Sequence, residues 1–154
     1  VTMAESKASR GQVVVKVDVE PGLPQIQADH HQLSQVFTNL IANAFEALDG
    51  KGHLAITAMT SAIEADPAFA HVHPPTPAVV VEVADDGPGV AAETTDKIFN
   101  PFFTTKVTGT GLGLAIVRKI VDAHDGRIDV SSEQGLGTKF RVTLPVTSAS
   151  AWFK

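Results

Sequence analysis

The sequence predicts an α+β fold, a two-layer sandwich in which a mixed sheet is covered on one face by helices. Three observations carry this expectation. Valine-rich runs at 12–20 and 78–84 and the apolar run at 53–60 read as strands. Apolar residues return to a spacing of three and four at 29–48 and 112–126, the mark of amphipathic helices. Two further strand-like runs, "RIDVSSEQ" and "TKFRVTLP", flank "GLG" as a closing hairpin. Strands and helices that each carry one apolar face must bury those faces against one another, and a sheet layered with helices does so.

Each element has a local cause. "QVVVKVDVE" (12–20) alternates in part and stops at Pro21-Gly22, a strand ending in a turn. From Asp29, a suitable N-cap, Leu33, Val36, Phe37, Leu40, Ile41, Ala44 and Leu48 follow helical spacing until "DGKG" (49–52) ends it. "HLAITAMT" (53–60) and "AVVVEVA" (78–84) are expected as antiparallel neighbours joined by a surface loop at 61–77 that holds four prolines. The stretch 85–112 is irregular apart from one short helix near 92–98, and irregular stretches of that length are more often functional than not. "LGLAIVRKIVDAHDG" (112–126) returns to helix, with Gly126 as its expected C-cap. The expected organisation is a flexible segment at 1–11, one domain at 12–146 and a tail at 147–154. No internal repeat is visible.

Composition narrows the function. The 154 residues suffice for one domain with a proper core, and 44% hydrophobic with 19% charged residues is globular composition. No apolar run is long enough to span a membrane, and the first residues lack a signal-peptide pattern. The absence of cysteine excludes disulfides and thiol chemistry and agrees with a cytoplasmic location. A net charge of −5 without a lysine or arginine cluster argues against nucleic acid as a partner. An anionic ligand must therefore be held by local features.

Three such features stand out. Asn39 and Asn43 lie one turn apart on a stripe with Gln32 and Glu46, at the border of the helix's apolar arc. An amide there can offer its carbonyl oxygen to a hard cation such as Mg²⁺, or simply edge a helix. Asp85 ends a buried strand at "DDGPGV", where a fixed carboxylate can accept a hydrogen bond from an exocyclic amine such as adenine's and repel the oxygen of guanine. Gly87 and Gly89 let the backbone approach a flat ring, and Pro88 stiffens the turn, though Asp-Gly-Pro-Gly is also ordinary turn chemistry. Gly109, Gly111 and Gly113 precede a helix whose first amides are unpaired, a good seat for phosphate, with Lys106 just upstream. Neither the dinucleotide fingerprint nor a P-loop is present.

Taken in order, "QVFTNLIANAFEAL", "VADDGPGV", "IFNPFFTTK" and "GTGLGLAIVRKIVDAHDGRIDVSSEQGLGTKFRVTLP" resemble the N, G1, F and G2 boxes of the sensor histidine kinase catalytic domain, across about 12–146. The resemblance implies the left-handed Bergerat sandwich shared with the ATP-binding part of DNA gyrase, mismatch-repair ATPases and the ninety-kilodalton heat-shock chaperone. It implies ATP and Mg²⁺ as cofactors, Asn43 as metal ligand with Asn39 as its companion, and Asp85 on the adenine amine above Gly87 and Gly89. It further implies a mobile lid anchored by Phe99, Phe102 and Phe103, closing with Lys106, Gly109, Thr110, Gly111, Leu112 and Gly113 over the triphosphate.

Two departures matter. Thr104 stands where many members carry an arginine, leaving Lys106 to supply the charge, and Glu46 stands where some members have a phosphate-contacting lysine. "NAFEAL" with "PFFTTK" resembles the subgroup of nitrogen-regulation and oxygen-sensing kinases, which has a short lid. Hydrolysing relatives place a glutamate general base where this chain has Asn39, which favours transfer over hydrolysis. The expected reaction is transfer of the γ-phosphoryl group to a histidine on a separate dimerising hairpin, and onward to a response-regulator receiver domain.

None of His30, His31, His53, His71, His73 or His124 has the setting of an acceptor; His124 ends a helix, where its positive form would suit the dipole, and His71 and His73 are expected as loop residues. The acceptor is expected elsewhere in the parent protein, as is any membrane attachment. The alternatives are a noncatalytic ATP-binding regulatory module and an anti-sigma-type serine kinase.

Overall fold

The structure, a computed structural model, describes residues 9–10, 12–63, 76–100 and 113–146. A short strand β1 (Ser9–Arg10) precedes β2 (Gln12–Val19), helix α1 (His30–Leu48) and β3 (Lys51–Ile63). Then follow β4 (Thr76–Asp85), a one-turn helix α2 (Ala92–Thr95), helix α3 (Gly113–Ala123), β5 (Arg127–Glu133) and β6 (Gly137–Pro145). The strands form one sheet in the order β1-β2-β3-β4-β6-β5. Among the described residues only β2 and β3 run parallel, with α1 as their crossover, and every other pairing is antiparallel. The mixed sheet under helices expected from the sequence is thus the observed architecture.

Alternation decides which face is covered. In β2, Val13 and Val15 are buried while Val14 and Lys16 are exposed; in β6, Phe140, Val142 and Leu144 are buried between more open neighbours. These side chains, with Leu54 and Val83, meet Val36, Leu40, Ala44 and Leu48 of α1 and Val117, Ile120 and Val121 of α3 in one core. Burying each such side chain contributes about 1.5–3 kcal/mol, which fixes both helices on the same face of the sheet.

Asp29 caps α1 as expected: it is extended, and its Oδ1 accepts the Gln32 N–H at 3.0 Å. The C-terminal end turns on Asp49 and Gly50, both left-handed (φ 49° and 85°), so β3 begins at Lys51, earlier than its apolar pattern suggested. The β3–β4 ladder also runs further, through Ala62↔Pro77 and Ile63↔Thr76, so both ends of the expected 61–77 loop are strand. Backbone pairing continues there beneath alanine, serine and proline, which carry no hydrophobic alternation to reveal it.

Three other expectations are corrected. Ser9–Arg10, placed in the flexible lead segment, pair with Val13 and Val14. The short helix stops at Thr95, and the chain continues to Asn100 in tighter turns, with Lys97 N–H on Thr94 O and Asn100 N–H on Lys97 O, both at 2.9 Å. At the end of α3 the left-handed residue is Asp125 (φ 59°), not Gly126. Gly126 is needed for closeness instead: a Cβ there would stand 2.6 Å from Thr143 O and 2.9 Å from Leu144 Cδ2. His71, His73 and the 147–154 tail lie outside the described residues.

Candidate functional site

The site is built along one stripe of α1. Asn39, Asn43 and Ala47 are successive fourth residues, so they line up on a single face over about 12 Å of helix. Both asparagines are half-buried. At the C-terminal end of the stripe, the turn after β4 comes so close that a Cβ on Gly87 would stand 3.1 Å from the Ala47 carbonyl oxygen. At the other end, Asn39 Nδ2 donates to the Gly113 carbonyl at 3.4 Å, where α3 begins. Asn43 lies midway. One helix face therefore joins the carboxylate turn to the glycine that opens α3.

Asp85 points to the helix-covered side of the sheet, in register with Thr138 on β6. Its Oδ1 accepts the Gly87 N–H at 2.9 Å. Burial raises its pKa above the ordinary carboxylate value, and the neighbouring Asp86 adds to the rise, while hydrogen bonds from the Gly87 and Thr138 backbone offset part of it. A carboxylate has about four lone-pair sites, so two backbone donors hold the group still and leave it able to accept from a ligand amine.

Asp86 faces the opposite way. Its Oδ1 accepts the His53 N–H at 2.7 Å and its Oδ2 lies 2.8 Å from His53 Nδ1, and these bonds, the backbone one foremost, lower its pKa. A Cβ on Gly52 would stand 2.6 Å from Asp86 Oδ1, so that glycine makes room for the carboxylate.

The turn is shaped by the β5–β6 hairpin. Gly135 N–H donates to Pro88 O at 2.7 Å, and Val90 N–H to Ser132 Oγ at 2.8 Å. Ser132 Oγ also meets Thr138 Oγ1 at 2.8 Å and Gly137 O at 3.1 Å. Gly89 is left-handed (φ 71°), and a Cβ there would run into Glu133 O; one on Gly137 would run into Asp85 O. The need for Gly89 thus comes from the hairpin that backs the turn.

The described part of the aromatic motif is anchored. Phe99 packs edge-on against Phe140, with centroids 6.2 Å apart, and the Arg118 guanidinium sits 5.6 Å from its centroid. Phe102, Phe103, Lys106, Gly109, Thr110, Gly111 and Leu112 lie outside the described residues. Reading the sequence for motifs missed Ala47, Ser132, Thr138 and Asp86. The Asp-Asp doublet was a visible signal for the last, while Ser132 and Thr138 become neighbours of the site only through β5–β6–β4 pairing.

Among the described residues, no cluster of three or more His, Cys, Asp or Glu side chains could hold a metal by itself. The half-buried Asn43 amide supplies a hard oxygen donor, which suits Mg²⁺ as a ligand shared with phosphate oxygens and water.

A mixed sheet under two helices, with a fixed carboxylate and a glycine-opened helix at the two ends of an amide-bearing stripe, defines an ATP-binding sandwich of the Bergerat type. The family model "Histidine kinase-, DNA gyrase B-, and HSP90-like ATPase" matches residues 28–148. The chain is 38% identical over 144 residues to sensor histidine kinase ZraS of Escherichia coli K12, covering 94% of this chain and 28% of that protein. It is 41% identical over 138 residues to the sensory histidine kinase/phosphatase NtrB of Rhodobacter capsulatus, covering 87% of this chain and 37% of that one. The catalytic domain of histidine kinase ThkA superposes with a TM-score of 0.68 at 34% identity, covering 88% of this chain and 80% of that domain. Full-length ShkA in complex with AMPPNP does so at 0.66 and 32%, covering 90% and 26%. The chain belongs to the histidine kinase-, DNA gyrase B- and HSP90-like ATPase family, as an ATP-binding domain of the sensor histidine kinase kind.

Proposed function

We propose that this domain binds Mg·ATP along the α1 stripe and passes the γ-phosphoryl group to a histidine on a separate dimerising helical hairpin of its parent. A response-regulator receiver domain then takes the group. The unit is 12–146, with 1–11 and 147–154 as flanking segments, of which Ser9–Arg10 add a short strand to the sheet, and the setting is cytoplasmic. Among the described residues no helix is long and apolar enough to cross a membrane.

The observation that carries the reading is the pair of contacts at the ends of the stripe, Gly87 on Ala47 and Gly113 on Asn39. Between them the adenine amine is assigned to Asp85, and the triphosphate to the amide end. Lys106 and the lid glycines 109, 111 and 113 supply charge and backbone donors to the phosphates. Asn43 would contribute one ligand to Mg²⁺, which would supply charge neutralisation at the phosphates. Asn39 has no basic carboxylate to activate water, which favours an imidazole nucleophile over hydrolysis. In the transfer, the bond from the γ-phosphorus to the bridging oxygen breaks as an N–P bond forms on the acceptor, and ADP leaves. Such a reaction depends chiefly on positioning and charge stabilisation.

The test is to mix the domain with a dimerising hairpin bearing its histidine, using radiolabelled ATP and Mg²⁺. Acid-labile phosphate on the hairpin is the expected product. Acid-stable phosphate on a partner indicates a serine kinase instead, and ATP binding without any transfer indicates a regulatory module. Asn43→Ala is expected to leave the circular dichroism spectrum unchanged and to reduce transfer by about 100-fold or more, the scale on which losing a single charge-stabilising group acts. Transfer at the wild-type rate removes Asn43 from the metal site.

A further inference from the structure

We infer that His124 is a positioning residue for the phosphate end of the site, acting as a neutral, two-ended tie between α3 and α1. The inference rests on the nucleotide reading above. At the end of α3 the positive form of His124 would suit the helix dipole, and its hydrogen bonds point to the other form. Nδ1 lies 2.8 Å from the Ile120 carbonyl, which can only accept, so Nδ1 carries the proton. Nε2 lies 3.0 Å from the backbone nitrogen of Asp29, which can only donate, so Nε2 offers its lone pair. A doubly protonated ring cannot make the second bond.

That bond spans 95 positions of sequence and lands on the N-cap of α1. The two helices are thus tied twice, Asp29 to His124 at one end and Asn39 to Gly113 at the other. The spacing agrees on both sides. Asp29 to Asn39 rises about 15 Å and Gly113 to His124 about 16 Å, so antiparallel helices held at one tie come into register at the other. Between the ties, Val36 and Leu40 of α1 and Val117, Ile120 and Val121 of α3 share one core, which transmits the register as a rigid contact. Losing the tie at His124 lets α3 slide or tilt along α1. The opposite end of α3 then moves, and that end is Gly113 against Asn39. The base end stays put, because Asp85 and its turn are held by β6 and the hairpin.

The consequence is a split that general destabilisation does not produce. Calorimetric titration at pH 7.5 with Mg²⁺ compares ATP with adenosine on the wild type, His124→Ala and His124→Gln, the last keeping one donor and one acceptor. His124→Ala is expected to weaken ATP about fivefold to tenfold, the scale of one lost hydrogen bond, with adenosine changed by less than about twofold. His124→Gln is expected to recover most of the ATP affinity. Equal losses for both ligands, unchanged ATP affinity in His124→Ala, or no recovery in a folded His124→Gln each overturn the inference. If His124→Ala does not fold, the ATP-to-adenosine ratio of His124→Gln against wild type decides. Absence of ATP binding by the wild type defeats the nucleotide reading itself and is read separately.

Discussion

Asp85 is held between opposite requirements. The proposed recognition of an amine needs its charge, while burial beneath α1 and the nearby Asp86 make that charge costly. Because its folded pKa is raised, it contributes stability fully present below the unfolded value and lost as pH rises through the folded one. Asp85→Asn should therefore raise Tm at neutral pH, with the gain fading as pH falls into the carboxylate range. The same change should weaken ATP by about tenfold or more, since the amide can turn its donor toward the base. Asp86 carries the opposite sign. Its folded pKa is lowered by His53, so its contribution is present above the unfolded value and disappears as pH falls through the folded one. Asp86→Asn should lower Tm at neutral pH and match the wild type in acid. Thermal melts of both variants from pH 3 to 7.5 check the pair, and two neighbouring aspartates changing Tm in the same direction at pH 7 refute the assignment.

At the level of elements, the decisive partnership is the β5–β6 hairpin with the turn after β4. Gly89→Ala places a methyl group on Glu133 O at a left-handed φ, and is expected to destabilise by roughly 1–3 kcal/mol in urea denaturation. Gly135→Ala is the control. It too is left-handed (φ 86°), but a Cβ there meets nothing within 4 Å, so its cost should be the smaller of the two.

The same partnership marks the boundary of what the sequence disclosed. Helix α1 was legible from Asp29 to Leu48 because its period, cap and stop coincide, and with it the stripe of Asn39 and Asn43. Asp85 was legible as the acidic end of an apolar strand. Ser132, Thr138 and Ala47 were not, because they reach the turn only through sheet order and helix packing. His124 was legible as a helix-end residue, but its tie to the Asp29 N–H was not, since that partner lies far away in sequence.

For the whole molecule, the proposed ligand site links binding to folding through residues of α1, β4, α3 and β6. Nucleotide that binds only the folded form at a hundred times its dissociation constant stabilises by roughly 2.7 kcal/mol, a Tm rise of roughly 5–10 °C for a domain of this size. Differential scanning fluorimetry with Mg·ATP should show that rise and GTP should not; equal shifts with both nucleotides contradict the Asp85 assignment. The stripe on α1 draws its partners from β4, from α3 and, through Thr138, from β6.

The strand order gives this linkage a direction in time. β6, made last of the six described strands, is inserted between β4 and β5, so β4 has an open edge until the polypeptide near Pro145 has been synthesised. A nascent chain that has emerged from the ribosome only as far as β5 holds Asp85 without its neighbour Thr138 and with its turn unbraced. On the proposed reading, such a chain should not bind nucleotide until the closing strand is in place.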